Sequence, residues 1–180
     1  MASLRKAGAY SKRYARPYTR KSKRKSKNFI KAVPVQKINK FNMGKMKLYE
    51  ERKFDTVIKV ATTEKVQIRD NALEAARQYI SRNLENKIPG QYYFEVRVYP
   101  HHILRENKML TGAGADRMQT GMSASFGKAM GRAALLKQNQ EIYLISTSGD
   151  KQIKIIKDII NSVKSKLPCK TKITQEKIKN

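Results

Sequence analysis

An α+β sandwich is the fold class this sequence predicts, with two amphipathic helices on one face of a mostly antiparallel sheet of about four strands. Three observations predict it. Apolar residues recur at helical spacing in two windows, 70–86 and 148–166. Short runs rich in β-branched and aromatic residues alternate between and around those windows. Positive charge is concentrated ahead of all of them, which sets a leading segment apart from a folded remainder.

Residues 29–44 (FIKAVPVQKINKFNMG) read as extended chain, broken by Pro34 and ended by Gly44. Residues 53–60 (KFDTVIKV) form a strand, on their β-branched content. From Asp70 to Asn86 the spacing predicts a helix. Asp70 caps it, Leu73, Ala76, Ile80 and Leu84 make one apolar stripe, and Pro89-Gly90 stops the chain beyond. Residues 92–99 (YYFEVRVY) alternate as a half-buried strand, with Phe94, Val96 and Val98 on one face and Glu95 and Arg97 on the other. Residues 100–131 follow neither periodicity and hold five glycines, at 112, 114, 121, 127 and 131. A long stretch of that kind within a compact domain is functional or disordered. Order returns at 141–147 (EIYLIST), a strand. The second helix, 148–166, carries Ile153, Ile156, Ile160, Val163 and Leu167 at alternating helical spacing before Pro168 ends it. Residues 169–174 (CKTKIT) return as a short strand. There is no internal repeat.

The charge is the strongest compositional clue. Forty Lys and Arg face fourteen Asp and Glu over 180 residues, a formal charge of +26. Self-repulsion on that scale opposes compaction unless a polyanion neutralises it, so RNA, DNA and an anionic membrane surface are the partner classes to weigh. The first acidic residue is Glu50, and sixteen Lys and Arg precede it, eleven of them within residues 1–27. Residues 50–180 carry 24 basic and 14 acidic groups, a net +10 that is ordinary for a folded domain.

Residues 1–27 contain one large aliphatic residue, Leu4, and cannot bury enough apolar surface to offset their ordering entropy. They are expected to order on a partner. No segment reaches the run of roughly 18 apolar residues that spans a bilayer, and no apolar stretch follows the basic start as in a secretory signal. A transit peptide shares the basic, Ser-rich, acid-poor composition and stays open at the N-terminus. The single cysteine, Cys169, excludes an internal disulfide and a Cys-only zinc site, and fits a reducing, cytoplasmic setting.

The candidate binding residues follow from the charge. Arg5, Lys6, Lys12, Arg13, Arg16, Arg20, Lys21, Lys23, Arg24 and Lys25 neutralise phosphates and release counterions. Tyr10, Tyr14 and Tyr18 either stack on unpaired bases or pack on the domain's own surface. Gly112-Ala113-Gly114-Ala115-Asp116 is not a phosphate loop: no Gly-Lys-Ser/Thr ending follows, and Arg117 stands where a dinucleotide fingerprint needs its third glycine. Close backbone approach to nucleic acid and a plain surface loop both remain open there. His101 and His102 are adjacent and on a strand face opposite ways, so they share no metal; contact with RNA or a carboxylate suits them better. Most carboxylates fall on helix surfaces, at caps or on strand faces beside Lys and Arg, the pattern of ordinary ion pairing. Glu106 and Asp116 are the one acidic pair able to converge on a substrate, and no histidine or metal cluster supports them. No cofactor and no metal are expected.

Residues 97–122, RVYPHHILRENKMLTGAGADRMQTGM, closely resemble the signature of a universal large-subunit ribosomal protein family. Archaea and eukaryotes number it ten-e, and its bacterial counterpart is large-subunit protein sixteen. Arg16-Pro17-Tyr18-Thr19-Arg20, Val33-Pro34, Lys37-Ile38 and Phe41-Asn42-Met43-Gly44 extend the resemblance, which covers roughly residues 4–175. It implies an α/β-hammerhead sandwich, a mixed sheet with two helices, and a basic extension threaded into rRNA. The expected division is an extension at 1–28, a domain at 29–175 with a flexible loop at 101–117, and a basic tail at 176–180. It further implies a structural role without catalysis, rRNA contacts that include Tyr18, Arg117 and Lys128, and a loop directed toward tRNA at the aminoacyl and peptidyl sites. Arg105, Asn107, Lys108 and Met109 would lie near the loop's tip, with Gly112 and Gly114 allowing close approach. Large-subunit rRNA, tRNA and neighbouring ribosomal proteins are the implied partners, with no membrane and no stable homo-oligomer. The chain departs from the family pattern at Ala9, Ser123, Ala129 and Leu135, where Cys, Arg, Pro and Arg are usual. A divergent lineage and a paralogue with an altered contact at 123–135 both fit. An assembly or regulatory factor of the same fold, and an RNA-processing enzyme, are the rival functions.

Overall fold

The computed structural model describes residues 32–106 and 128–178. Along them run β1 (Asn42–Gly44), α1 (Met46–Glu50), β2 (Thr56–Thr62), β3 (Val66–Arg69) and α2 (Asp70–Lys87). Next come β4 (Tyr92–Val96), β5 (His102–Glu106), β6 (Lys128–Leu136), β7 (Glu141–Thr147), α3 (Asp150–Val163) and β8 (Thr171–Lys177). A short 3-10 turn, Lys164–Lys166, extends α3.

The strands form two sheets. One has five strands in the order β1-β4-β7-β2-β8, the other three in the order β3-β6-β5. Alternation along each strand sorts its residues between two faces. On one face of the larger sheet Ile58, Val60, Phe94, Val96, Tyr143 and Ile145 are buried in the main core. The apolar stripes of both helices meet them there: Leu73, Ala76, Ile80 and Leu84 from α2, and Ile153, Ile156, Ile160 and Val163 from α3. Val66, Ile68, Ala134 and Leu136 of the smaller sheet join the same core. Each fully buried Leu or Ile contributes roughly 2 kcal/mol, so the two stripes carry much of the fold's stability. The opposite face holds a smaller cluster of Phe54, Val57, Tyr93 and Leu144, covered by Leu48 and Tyr49 of α1 and by Ile178. Tyr49 stacks on Tyr93 with ring centroids 4.3 Å apart.

The α+β sandwich and its two long helices stand as the sequence predicts. The strands divide between two sheets where the resemblance implies one mixed sheet, and every pairing among the described residues is antiparallel. β5 occupies 102–106 of the segment expected as loop, and β8 runs on to Lys177, past the boundary expected at 175. Asp70 is the first residue of α2, while Arg69, in extended conformation, takes the cap position without a side-chain bond.

Candidate nucleic-acid interface

The root of the cationic segment is the part of the interface that the described residues contain. Residues 34–43 form a strap along α2, and the helix holds it with a polar stripe. Asp70, Glu74 and Arg77 are spaced four and three apart, so they share one helical face. Asp70 Oδ2 accepts the Lys37 backbone N–H at 3.2 Å, and its Oδ1 accepts that of Asn71 at 2.8 Å. Burial pushes the Asp70 carboxyl up, and these two N–H groups pull against it. Glu74 takes a two-pronged grip from Arg77, at 2.7 Å from Nε and 2.6 Å from Nη2, and a third bond from Gln78 at 2.9 Å. The Arg77 bonds hold the Glu74 carboxyl below the usual range, against burial, and the Asn39 backbone adds to the effect. Arg77 reaches on to the Met43 sulfur at 3.1 Å. Ile38 on the same strap is buried in the core.

Two further contacts fasten the strap to the sheets. Val96 donates its backbone N–H to the Phe41 carbonyl at 2.8 Å. Arg132 of β6 donates from Nε to the Pro34 carbonyl at 2.6 Å and from Nη1 to the Tyr99 hydroxyl at 3.2 Å. The Tyr99 ring in turn stacks on Phe41, centroids 5.7 Å apart and planes 23° apart. The strap turns into β1 and ends at Gly44, whose φ of +87° suits glycine. A Cβ built there would collide with the Tyr92 carbonyl oxygen.

β5 and β6 pair in the smaller sheet, with Ile103 opposite Arg132 and Glu106 opposite Lys128, and residues 107–127 connect them in sequence. The two adjacent histidines at the start of β5 face opposite ways, as expected on extended chain. His101 is exposed, and its ring Nδ1 lies 3.1 Å from the Tyr99 carbonyl. His102 is buried, 1% exposed, with no hydrogen-bond partner at Nδ1 among the described residues. Burial, then the neighbouring His101, lowers its pKa and keeps it neutral. The expected contact of His102 with RNA is corrected, since a ring closed off from solvent is out of an RNA ligand's reach. Burial also raises the Cys169 thiol, which is free.

The residues expected to bind fall mostly elsewhere. Arg5, Lys6, Lys12, Arg13, Arg16, Tyr18, Arg20, Lys21, Lys23, Arg24 and Lys25 lie outside the described residues, as do Asn107, Lys108, Met109, Gly112, Gly114 and Arg117. Arg105 and Lys128 have their backbones in the β5–β6 pair, opposite Ala129 and Glu106. Leu135 pairs with Gln67 across β3 and β6. Sequence reasoning missed the roles of Phe41, Tyr99 and Arg132. Glu74 pairs with Arg77 one turn on, as expected of a helix carboxylate, but that pair and Asp70 are buried and not on the solvated helix surface. The four-three spacing of Asp70, Glu74 and Arg77 is the signal that could have found them. Among the described residues no group of three or more His, Cys, Asp or Glu side chains is able to hold a metal, and no helix is long and apolar enough to cross a membrane.

The described residues form a basic α+β sandwich that holds the strap following an acid-free cationic segment. The chain belongs to the family described as Ribosomal protein L16p/L10e, which matches residues 15–174. It is 41% identical over 149 residues to the large ribosomal subunit protein uL16 of Sulfolobus acidocaldarius, covering 82% of each chain. The protein of that name from Hyperthermus butylicus is 43% identical over 148 residues, 82% of this chain and 79% of the relative. That of Caldivirga maquilingensis is 38% identical over 178 residues, 97% of each chain.

Proposed function

We propose that this chain is a structural constituent of the large ribosomal subunit, working in the cytoplasmic ribosome with no chemistry of its own. It binds large-subunit rRNA through residues 1–28 and the surface around their root, beside neighbouring ribosomal proteins. The loop between β5 and β6 serves to position tRNA at the aminoacyl and peptidyl sites. One observation supports this reading: the strap 34–43, the described chain that follows the cationic segment, is held at Pro34, Lys37, Phe41 and Met43. An anchored strap after it reduces the ordering entropy lost when the segment binds phosphates. Phosphate neutralisation then supplies affinity, and the loop is spared for a second task.

Co-sedimentation tests the reading against an assembly or regulatory factor of the same fold. The chain is expected to stay with mature large subunits through a high-salt wash. Release into the supernatant, with retention on precursor particles, would assign it to assembly instead.

A further inference from the structure

We propose that Tyr99 is a stacking platform for an unpaired RNA base, an inference that rests on the rRNA-binding reading above. Tyr99 is a large apolar side chain left 49% exposed although its ring is fixed in place. One ring face lies on Phe41, and the hydroxyl is held by Arg132. Phe41 is itself anchored, since its carbonyl accepts the Val96 N–H. A ring immobilised before binding loses little entropy when a base settles on it. The surroundings fit a nucleotide. Arg132 brings a guanidinium to the ring's edge, exposed Lys37 and Lys40 precede Phe41 on the strap, and exposed His101 follows Pro100. Val35, 86% exposed, follows Pro34, whose carbonyl Arg132 grips. An aromatic face beside cations is the arrangement that takes bases of single-stranded RNA without demanding a sequence. A protein partner fits less well, because the chain's net charge of +26 favours a polyanion.

The test compares the full-length chain with Tyr99→Ala and Tyr99→Phe. Each is titrated with a labelled oligoadenylate and with an abasic ribose-phosphate chain of the same length. Tyr99→Ala is expected to weaken oligoadenylate binding about ten-fold and abasic binding little, while Tyr99→Phe loses much less, because stacking needs the ring and the Arg132 bond to the hydroxyl only steadies it. Equal affinity of Tyr99→Ala and the unsubstituted chain for oligoadenylate overturns the platform alone. So does an equal loss on both probes, which marks a purely electrostatic effect. Binding of neither probe by the unsubstituted chain overturns the rRNA reading along with the platform. A large fall in the melting temperature of RNA-free Tyr99→Ala overturns the platform too, by making the ring an internal packing element.

Discussion

Arg132 and Pro34 stand 98 positions apart in sequence and meet through one hydrogen bond of 2.6 Å, from the guanidinium Nε to the proline carbonyl. That bond ties β6 to the strap that follows the cationic segment. A proline carbonyl is a good target for such a grip, since its residue offers no N–H to a competing ladder.

Removing the grip should loosen the strap before it harms the core. Arg132→Ala is expected to cost about 1.5–2 kcal/mol, the lower end for hydrogen bonds involving a charged group, at this half-buried site. Amide exchange at residues 35–37 should speed up while exchange in α2 stays slow. Unchanged exchange at 35–37 would show that Asp70 and Glu74 hold the strap without help from Arg132.

The Glu74–Arg77 pair is buried on both sides, so breaking it from one side leaves a charge without its partner. Glu74→Ala should destabilise the fold by about 3 kcal/mol in a denaturant titration. Its depressed folded pKa sets the pH dependence: the stabilisation is full above the ordinary glutamate value and is lost as pH falls through the folded value. Glu74→Gln should therefore be less sensitive to acid than the unsubstituted chain over that interval. Parallel pH profiles would remove the pair from the acid response.

His102 gives a second acid-sensitive step at higher pH. Its folded pKa is lowered, so the unfolded chain binds the proton more readily, and stability falls as pH drops below about 6.5 toward the folded value. Replacing it by leucine should flatten melting temperature against pH in that window. A slope that survives His102→Leu would have to come from other groups.

Gly44→Ala should cost about 1–3 kcal/mol, since the new Cβ meets the Tyr92 backbone and the residue keeps a positive φ. Thermal melting checks it, and a neutral result would mean that β1 detaches from β4 at little cost.

The helices are readable from sequence because their stripes bury one face each, and Leu73, Ile80, Ile156 and Ile160 all lie in the core as their spacing implies. β7 is readable because it is buried along most of its length between two neighbours. β3, β5 and β6 are not. β6 contains Gly131, Ala133 and Ala134, residues of weak strand preference, and is held by pairing on both edges to β3 and β5. β5 hides a histidine where an alternating pattern would show an apolar residue. The smaller apolar cluster is masked as well, because Tyr93 sits between Tyr92 and Phe94 and each is buried on its own face. For the proposed interface, charge marks the segment expected to meet a polyanion. The clamp depends instead on residues far apart in sequence, such as Asp70 with Lys37 and Arg132 with Pro34.

The salt dependence of binding to large-subunit rRNA, measured for the full chain and for a chain lacking residues 1–27, tests most directly whether the cationic segment carries the affinity. The deletion should weaken binding and flatten the plot of log affinity against log salt, by about 0.9 for each duplex phosphate that is no longer neutralised. Equal affinity and an equal slope for the two chains would contradict that role.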